Sequence, residues 1–235
     1  MVTSGVLAQV AAIGPYFAVT AGPRGDSAGF RPLADLYTDR SALEGYVQAV
    51  AQRLGTGQRR VAASTLHLGT ASRLWSVALA CTALTGRVPD LGPDRLWWRQ
   101  ARTGPVDLWL PEVRDLPRKP AEALHETVAV QNLMPLSDAM HRVCGVSPHT
   151  LRGNAASALV GALRVLLARA PHAPYQVTPL ARGLLEQAPL AGAGAFDTAP
   201  GGAIGFRRRS CCLYYRVPGA GTCGDCVLNQ KETTA

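Results

Sequence analysis

A chain of 235 residues, 47% hydrophobic and only 17% charged, can bury one substantial core without disulfides and is too apolar to remain disordered. Its net charge of +8, almost all arginine (lysine occurs only at 119 and 231), predicts anionic partners without choosing among nucleic acid, acidic proteins, anionic chelates and membranes. The longest apolar stretch, residues 6–20, carries Gln9, Gly14 and Pro15, is too short to span a bilayer and lacks the upstream basic residue of a secretory signal. The sequence therefore reads as cytoplasmic, with association at the cytoplasmic membrane face left open.

Residues 1–33 hold an apolar segment around Tyr16 and Phe17 and a Gly/Pro-rich turn at residues 22–25. Ser41-Ala-Leu-Glu44 reads as a capping box, and Leu43, Val47, Val50 and Leu54 recur at helical spacing until Gly55 stops the helix. Residues 60–84 are again helical, with a break expected near Gly69, and end at Gly86 and Pro89. The period then changes. Residues 96–100 and 106–110 are aromatic and β-prone with Arg102-Thr-Gly-Pro105 between them, predicting a β-hairpin near 95–110. Helices are predicted over 121–132, 136–144 and 178–187, and over 148–168 with Ser147 as N-cap and Pro148 in the first turn. The Gly/Ala-rich residues 188–205 read as a linker or ordered loop. The fold class is thus mainly α (α+β): a helical scaffold and substrate-binding domain over 1–187, then the linker, then a metal-binding segment over 206–235.

Four of the six cysteines fall within sixteen positions, as Cys211-Cys212, ten intervening residues, and Cys223-Gly-Asp-Cys226. A Cys-x-x-Cys turn brings two sulfurs together with backbone N–H groups aimed at them, which suits tetrahedral thiolate coordination. In an extended strand Cys211 and Cys212 would face opposite sides, so the chain bends there or the two thiolates reach different irons of one cluster. Structural zinc more often takes two Cys-x-x-Cys knuckles or a Cys/His mixture, and no histidine is near. A disulfide is disfavoured in a reducing compartment, and thioredoxin-like chemistry lacks its βαβ setting. On this pattern an iron–sulfur cluster leads and zinc stays open. Cys81 and Cys144 read as buried thiols, and the five histidines, without metal-ligand spacing, as structural.

The run Arg208-Arg-Ser-Cys-Cys-Leu-Tyr-Tyr215 with Cys223-Gly-Asp-Cys226 resembles the C-terminal cluster domain of the FhuF-type siderophore ferric reductases. Residues 71–76, the Val88-Pro-Asp-Leu91 turn, Trp97-Trp98 and Gly153-Asn-Ala-Ala-Ser157 are similar to further segments of that family. The resemblance implies a [2Fe–2S] cofactor on Cys211, Cys212, Cys223 and Cys226, with no catalytic group beyond these ligands. It also implies one-electron reduction of ferric siderophores in the cytoplasm, releasing Fe(II), with an electron-donor protein such as a ferredoxin as partner. A non-catalytic iron–sulfur or zinc-binding sensor is the alternative. Arg207, Arg208, Arg209 and Arg216 flank the ligands and are expected to tune the potential or to dock an acidic donor, rather than to bind nucleic acid. Arg73, Trp75, Trp97, Trp98, Arg152 and Asn154 are the candidates for a chelate-binding face, partly because several lie in the family-like segments.

Overall fold

The computed structural model describes residues 1–101, 106–199 and 202–232. The apolar N-terminal segment starts as helix α1 (Ser4–Ile13), capped by Thr3, whose side chain accepts the Val6 N–H. Strands β1 (Thr20–Ala21) and β2 (Arg31–Pro32) and the short helix α2 (Asp35–Thr38) lead into α3 (Arg40–Leu54). The cap of α3 is not Ser41 but Asp39, whose carboxylate accepts the Ser41 and Ala42 N–H groups. A full negative charge suits the positive end of a helix better than a hydroxyl does, and Glu44 is drawn instead to Arg40 and Arg59. Gly55 ends the helix in the left-handed region, at φ 61°.

Helix α4 (Arg59–Thr85) runs through Gly69 without a break. A mid-helix glycine costs about 1 kcal/mol against alanine, far less than the burial of Leu66, Leu74, Trp75, Val77 and Leu79 along the same helix returns. Its main neighbour is α7 (Pro148–Arg169), which opens as the sequence predicts: the Ser147 side chain accepts the His149 N–H, and Pro148 occupies the first turn. Among the described residues α7 alone is long and apolar enough to cross a membrane, yet 67% of its apolar window is buried, which makes it a core helix.

Between them, α5 (Pro120–Leu124) passes into a π-helical stretch (His125–Leu133) and then α6 (Met134–Cys144). The widened turn precedes Pro135, which has no N–H to offer, and the Asn132 side-chain amide takes the Thr127 carbonyl at 2.6 Å. The same amide holds Leu91 O at 2.9 Å, fixing the 88–91 turn against the helices.

The expected hairpin is present as β3 (Trp97–Arg99) antiparallel to β4 (Asp107–Leu110), with Trp98 opposite Leu108. Its tip, residues 102–105, lies outside the described residues. The hairpin belongs to a four-stranded sheet in the order β1-β4-β3-β2, whose outer strands are two residues long and carry no readable alternation. After α8 (Thr178–Leu185) the predicted linker is in part ordered strand: β5 (Gly194–Thr198) pairs with β6 (Ile204–Arg208), reaching into the metal-binding segment. Phe206 on β6 packs with Ala156 and Val160 of α7, so the tail is seated on the core helix rather than tethered to it.

Candidate metal centre

Strand alternation decides what the arginine run does. Phe206 and Arg208 point inward from β6, while Arg207 and Arg209 are exposed. Arg208 is only 2% exposed, and its side chain lies across α7 at Gly153. A Cβ added at Gly153 would stand 2.8 Å from Arg208 Nη2, so the glycine makes the close approach. The guanidinium donates to Asn154 Oδ1 at 2.7 Å and to Thr150 O at 3.2 Å, and its Nε has no partner. Among the described residues no carboxylate pairs with it. An uncompensated buried cation is costly, and it is tolerated where negative charge is to be placed.

Asn154 carries the connection onward. Its amide donates to Ser64 O at 2.9 Å and Ser64 Oγ at 3.0 Å, and Ser64 Oγ donates to Cys212 O at 2.7 Å. A second strap holds the Cys223–Cys226 turn: Asp225 accepts from Ser157 Oγ at 3.0 Å and from Arg164 at 2.7 Å, and its carbonyl accepts the Arg208 N–H. The Gly153–Ser157 stretch of α7 is therefore where the body grips both cysteine pairs.

The adjacent cysteines are turned by Leu213, which takes the left-handed conformation at φ 69°. This is worth about 1–2 kcal/mol of strain in a residue with a Cβ, and a short 3₁₀ turn over Tyr214–Arg216 follows. The bend lets Leu213 N donate to Cys211 Sγ at 3.3 Å, and at the second cysteine pair Leu228 N donates to Cys226 Sγ at 3.4 Å. Cys212 Sγ and Cys223 Sγ are 3.6 Å apart. Their hydrogen bond pushes the Cys212 thiol down to about 6 and Cys223 up, and the charge of Arg208 favours the thiolate at both.

These features fit a cluster. Two thiolates on one tetrahedral metal with bonds of ~2.3 Å are separated by about 3.8 Å, close to the spacing of Cys212 and Cys223. Among the described residues no three His, Cys, Asp or Glu side chains converge on the position of a single ion. Cys212 and Cys223 at thiolate spacing, with N–H donors to the sulfurs of Cys211 and Cys226, suit an iron–sulfur cluster.

A family model described as the FhuF 2Fe-2S C-terminal domain matches residues 208–228. The tail is similar to the FhuF-type 2Fe-2S domain. Its cofactor is a [2Fe–2S] cluster, and Cys211, Cys212, Cys223 and Cys226 all lie inside the matched span. A search of curated proteins finds no match to the chain. The FhuF-type match begins at Arg208, the residue that ties the segment to α7.

The candidates for a chelate-binding face are not brought together. Arg73 is buried and donates to the Pro15 carbonyl, Trp75 is fully buried, and Trp98 stacks on Tyr46 at 5.2 Å between ring centroids. Asn154 belongs to the Arg208 network, Trp97 is half-buried in the sheet beside Trp109, and Arg152 alone is exposed, on another side of α7. Arg73, Trp75, Trp98 and Asn154 are thus taken up by internal packing and hydrogen bonds. Sequence reading missed Ser64 and Arg164, and it placed Gly153, Ser157 and Asp225 in family-like segments without a role, because their importance comes from contacts across more than 50 residues of chain, as in Arg164 with Asp225.

Proposed function

We propose that the protein is a cytoplasmic oxidoreductase that reduces ferric siderophores by one electron and releases Fe(II). The observation that carries this reading is that Cys212 and Cys223 stand in the wall of an open cavity of about 520 Å³. A chelate of drug-like size entering it meets the side chains that hold the centre. When bound, the [2Fe–2S] cluster supplies the single electron of the reduction. The chain's own residues position and bias: Ser64 and Asp225 hold the two cysteine pairs, and Arg208 keeps a fixed positive charge beside them. Hard oxygen donors bind Fe(III) tightly and the less charged Fe(II) weakly, so the reduced metal leaves without acid–base assistance.

Anaerobic purification tests the reading. The expected result is iron and acid-labile sulfide in equal amounts, together with Fe(II) trapped by a ferrous chelator when dithionite and a ferric tris-hydroxamate are added. Stoichiometric zinc without sulfide would sink it.

Arg207, Arg209, Arg216 and Tyr215 are exposed on the same segment, beside Tyr214, which is exposed at the cavity wall. We assign this basic, aromatic rim to docking of an acidic donor such as a ferredoxin, since exposed charge acts mainly on encounter rate. Changing Arg207 and Arg209 to glutamine is expected to slow reduction by ferredoxin about tenfold at low salt. Reduction by dithionite should be unaltered in stopped-flow. Equal slowing with both reductants would assign the rim another role.

A further inference from the structure

The cavity at Cys212 and Cys223 does not end there. It adjoins a second of about 270 Å³, and the two share the lining residues Tyr16, Leu54, Thr65 and Gly69. Together they form a trough along α4 that leads from the cysteines to Val50 and Arg53 of α3. Two irons and two sulfides occupy only on the order of 100 Å³, judging from the ~30 Å³ that one water takes, so most of the trough is left for something else.

Gly69 lies in the floor of both parts. It is inside an unbroken α-helix, has no positive φ, and a Cβ built on it meets nothing within 4 Å. Gly153 and Gly194 each prevent a clash, whereas Gly69, like Gly45, Gly161 and Gly183 in other helices, prevents none; of these four it is Gly69 that lines the two cavities. Neither backbone conformation nor packing calls for glycine here, although glycine costs the helix about 1 kcal/mol relative to alanine. What the missing side chain does provide is depth in the trough.

We infer that the trough floored by Gly69 is the binding site of the ferric chelate, and that Gly69 sets how close the chelated iron comes to Cys212 and Cys223. This rests on the reductase reading. The lining suits the organic shell of a chelate: Leu54 and Leu68 are apolar, and Tyr16 is 41% exposed. Thr65 and Ser72 donate their hydroxyls to helix carbonyls and keep their oxygens as acceptors. Arg164 is engaged by Asp225 and Ile204 O, and Arg208 by Asn154 and Thr150 O. In turnover the chelated Fe(III) takes one electron and becomes Fe(II), dithionite restoring the electron through the centre.

The test is Gly69→Trp in cluster-loaded protein, with Gly45→Trp on the exposed face of α3 as control. The redox-inert Ga(III) complex of a tris-hydroxamate measures binding by equilibrium dialysis, and its Fe(III) counterpart measures Fe(II) release. We expect Gly69→Trp to weaken Ga(III)-chelate binding and to lower kcat/KM at least tenfold, with an unchanged visible spectrum and unchanged reduction of the cluster by dithionite. Gly45→Trp should match the wild type, and Gly69→Ala should raise Tm. Should Gly69→Trp lose its cluster, Gly69→Leu replaces it under the same expectation. Wild-type binding and turnover in the loaded, blocked variant would overturn the assignment. Gly69-dependent binding of the Ga(III) chelate, with no Fe(II) released by wild type whose cluster is reduced, would overturn the reductase reading and leave the trough as the site.

Discussion

Replacing Cys223 by serine is expected to deplete iron and sulfide from the purified protein and to abolish Fe(II) release, while far-UV circular dichroism stays that of the wild type. Cys223 is the partner of Cys212 at 3.6 Å and opens the Cys-x-x-Cys turn, so its loss removes one of the two sulfurs placed at tetrahedral spacing. A serine hydroxyl, far less acidic than a thiol, is a poor anionic ligand at neutral pH. The helical body should survive because its main buried cluster contains none of the four tail cysteines. Cys144→Ala and Cys81→Ser serve as contrasts. Burial pushes the Cys81 thiol up to about 12, so it remains a protonated packing group inside α4. Those variants should keep full iron and sulfide, with at most a loss of stability read as a lower Tm. A Cys223→Ser protein that still released Fe(II) at the wild-type rate would remove the cluster from the reaction.

The four tail cysteines were legible in the sequence as a candidate metal centre because clustered thiols have few chemistries open to them, although spacing alone left zinc beside an iron–sulfur cluster. The fold class was legible for a related reason: the apolar periodicity of α3 and α7 and the aromatic, β-prone composition of β3 and β4 are local signals. The α3 cap was misread because Ser41 and Glu44 satisfy the pattern, while Asp39, two residues earlier, satisfies the electrostatics better. Gly69 was read as a break because helix propensity is a weak local term that burial of the rest of α4 overrides. Tryptophan and arginine were assigned to a substrate face on residue type, yet type does not report burial. Trp75 is fully buried and Arg73 is 3% exposed.

The most instructive miss is the arginine run. Read as a unit, Arg207, Arg208 and Arg209 are one basic patch. Read as the end of a strand, they must alternate, and Phe206 facing the core requires Arg208 to do the same. The strand itself was hidden in the Gly/Ala-rich stretch, where low side-chain content suggested a linker. Pairing of β5 with β6 supplies backbone hydrogen bonds that need no side chains, and Gly205 leaves room for Asp197 opposite it. One buried arginine and two exposed ones follow, and they have different physical effects: a charge in a low-dielectric site acts on an equilibrium, whereas a charge in water acts on encounter.

The second large effect is therefore expected at Arg208. Changing it to glutamine should move the midpoint potential of the cluster to more negative values, by about 60 mV, a tenfold change in the one-electron equilibrium. The sign follows from charge. Reduction adds an electron to a centre already surrounded by thiolates, and a nearby cation stabilises the more negative state, so removing the cation makes reduction harder. His67 shows that this charge is felt locally: burial first, and then Arg208, push its imidazole down to about 3. Lysine at 208 keeps the charge but loses the fork that holds Asn154 and Thr150 O, so Arg208→Lys should recover much of the potential with lower stability. Gly153→Ala keeps the arginine and displaces its guanidinium, and is expected to move the potential in the same direction by less. Redox titration followed by electron paramagnetic resonance separates this role from a structural one. A merely structural Arg208 would lower the fraction of protein that holds a cluster and leave the potential of that fraction where it was.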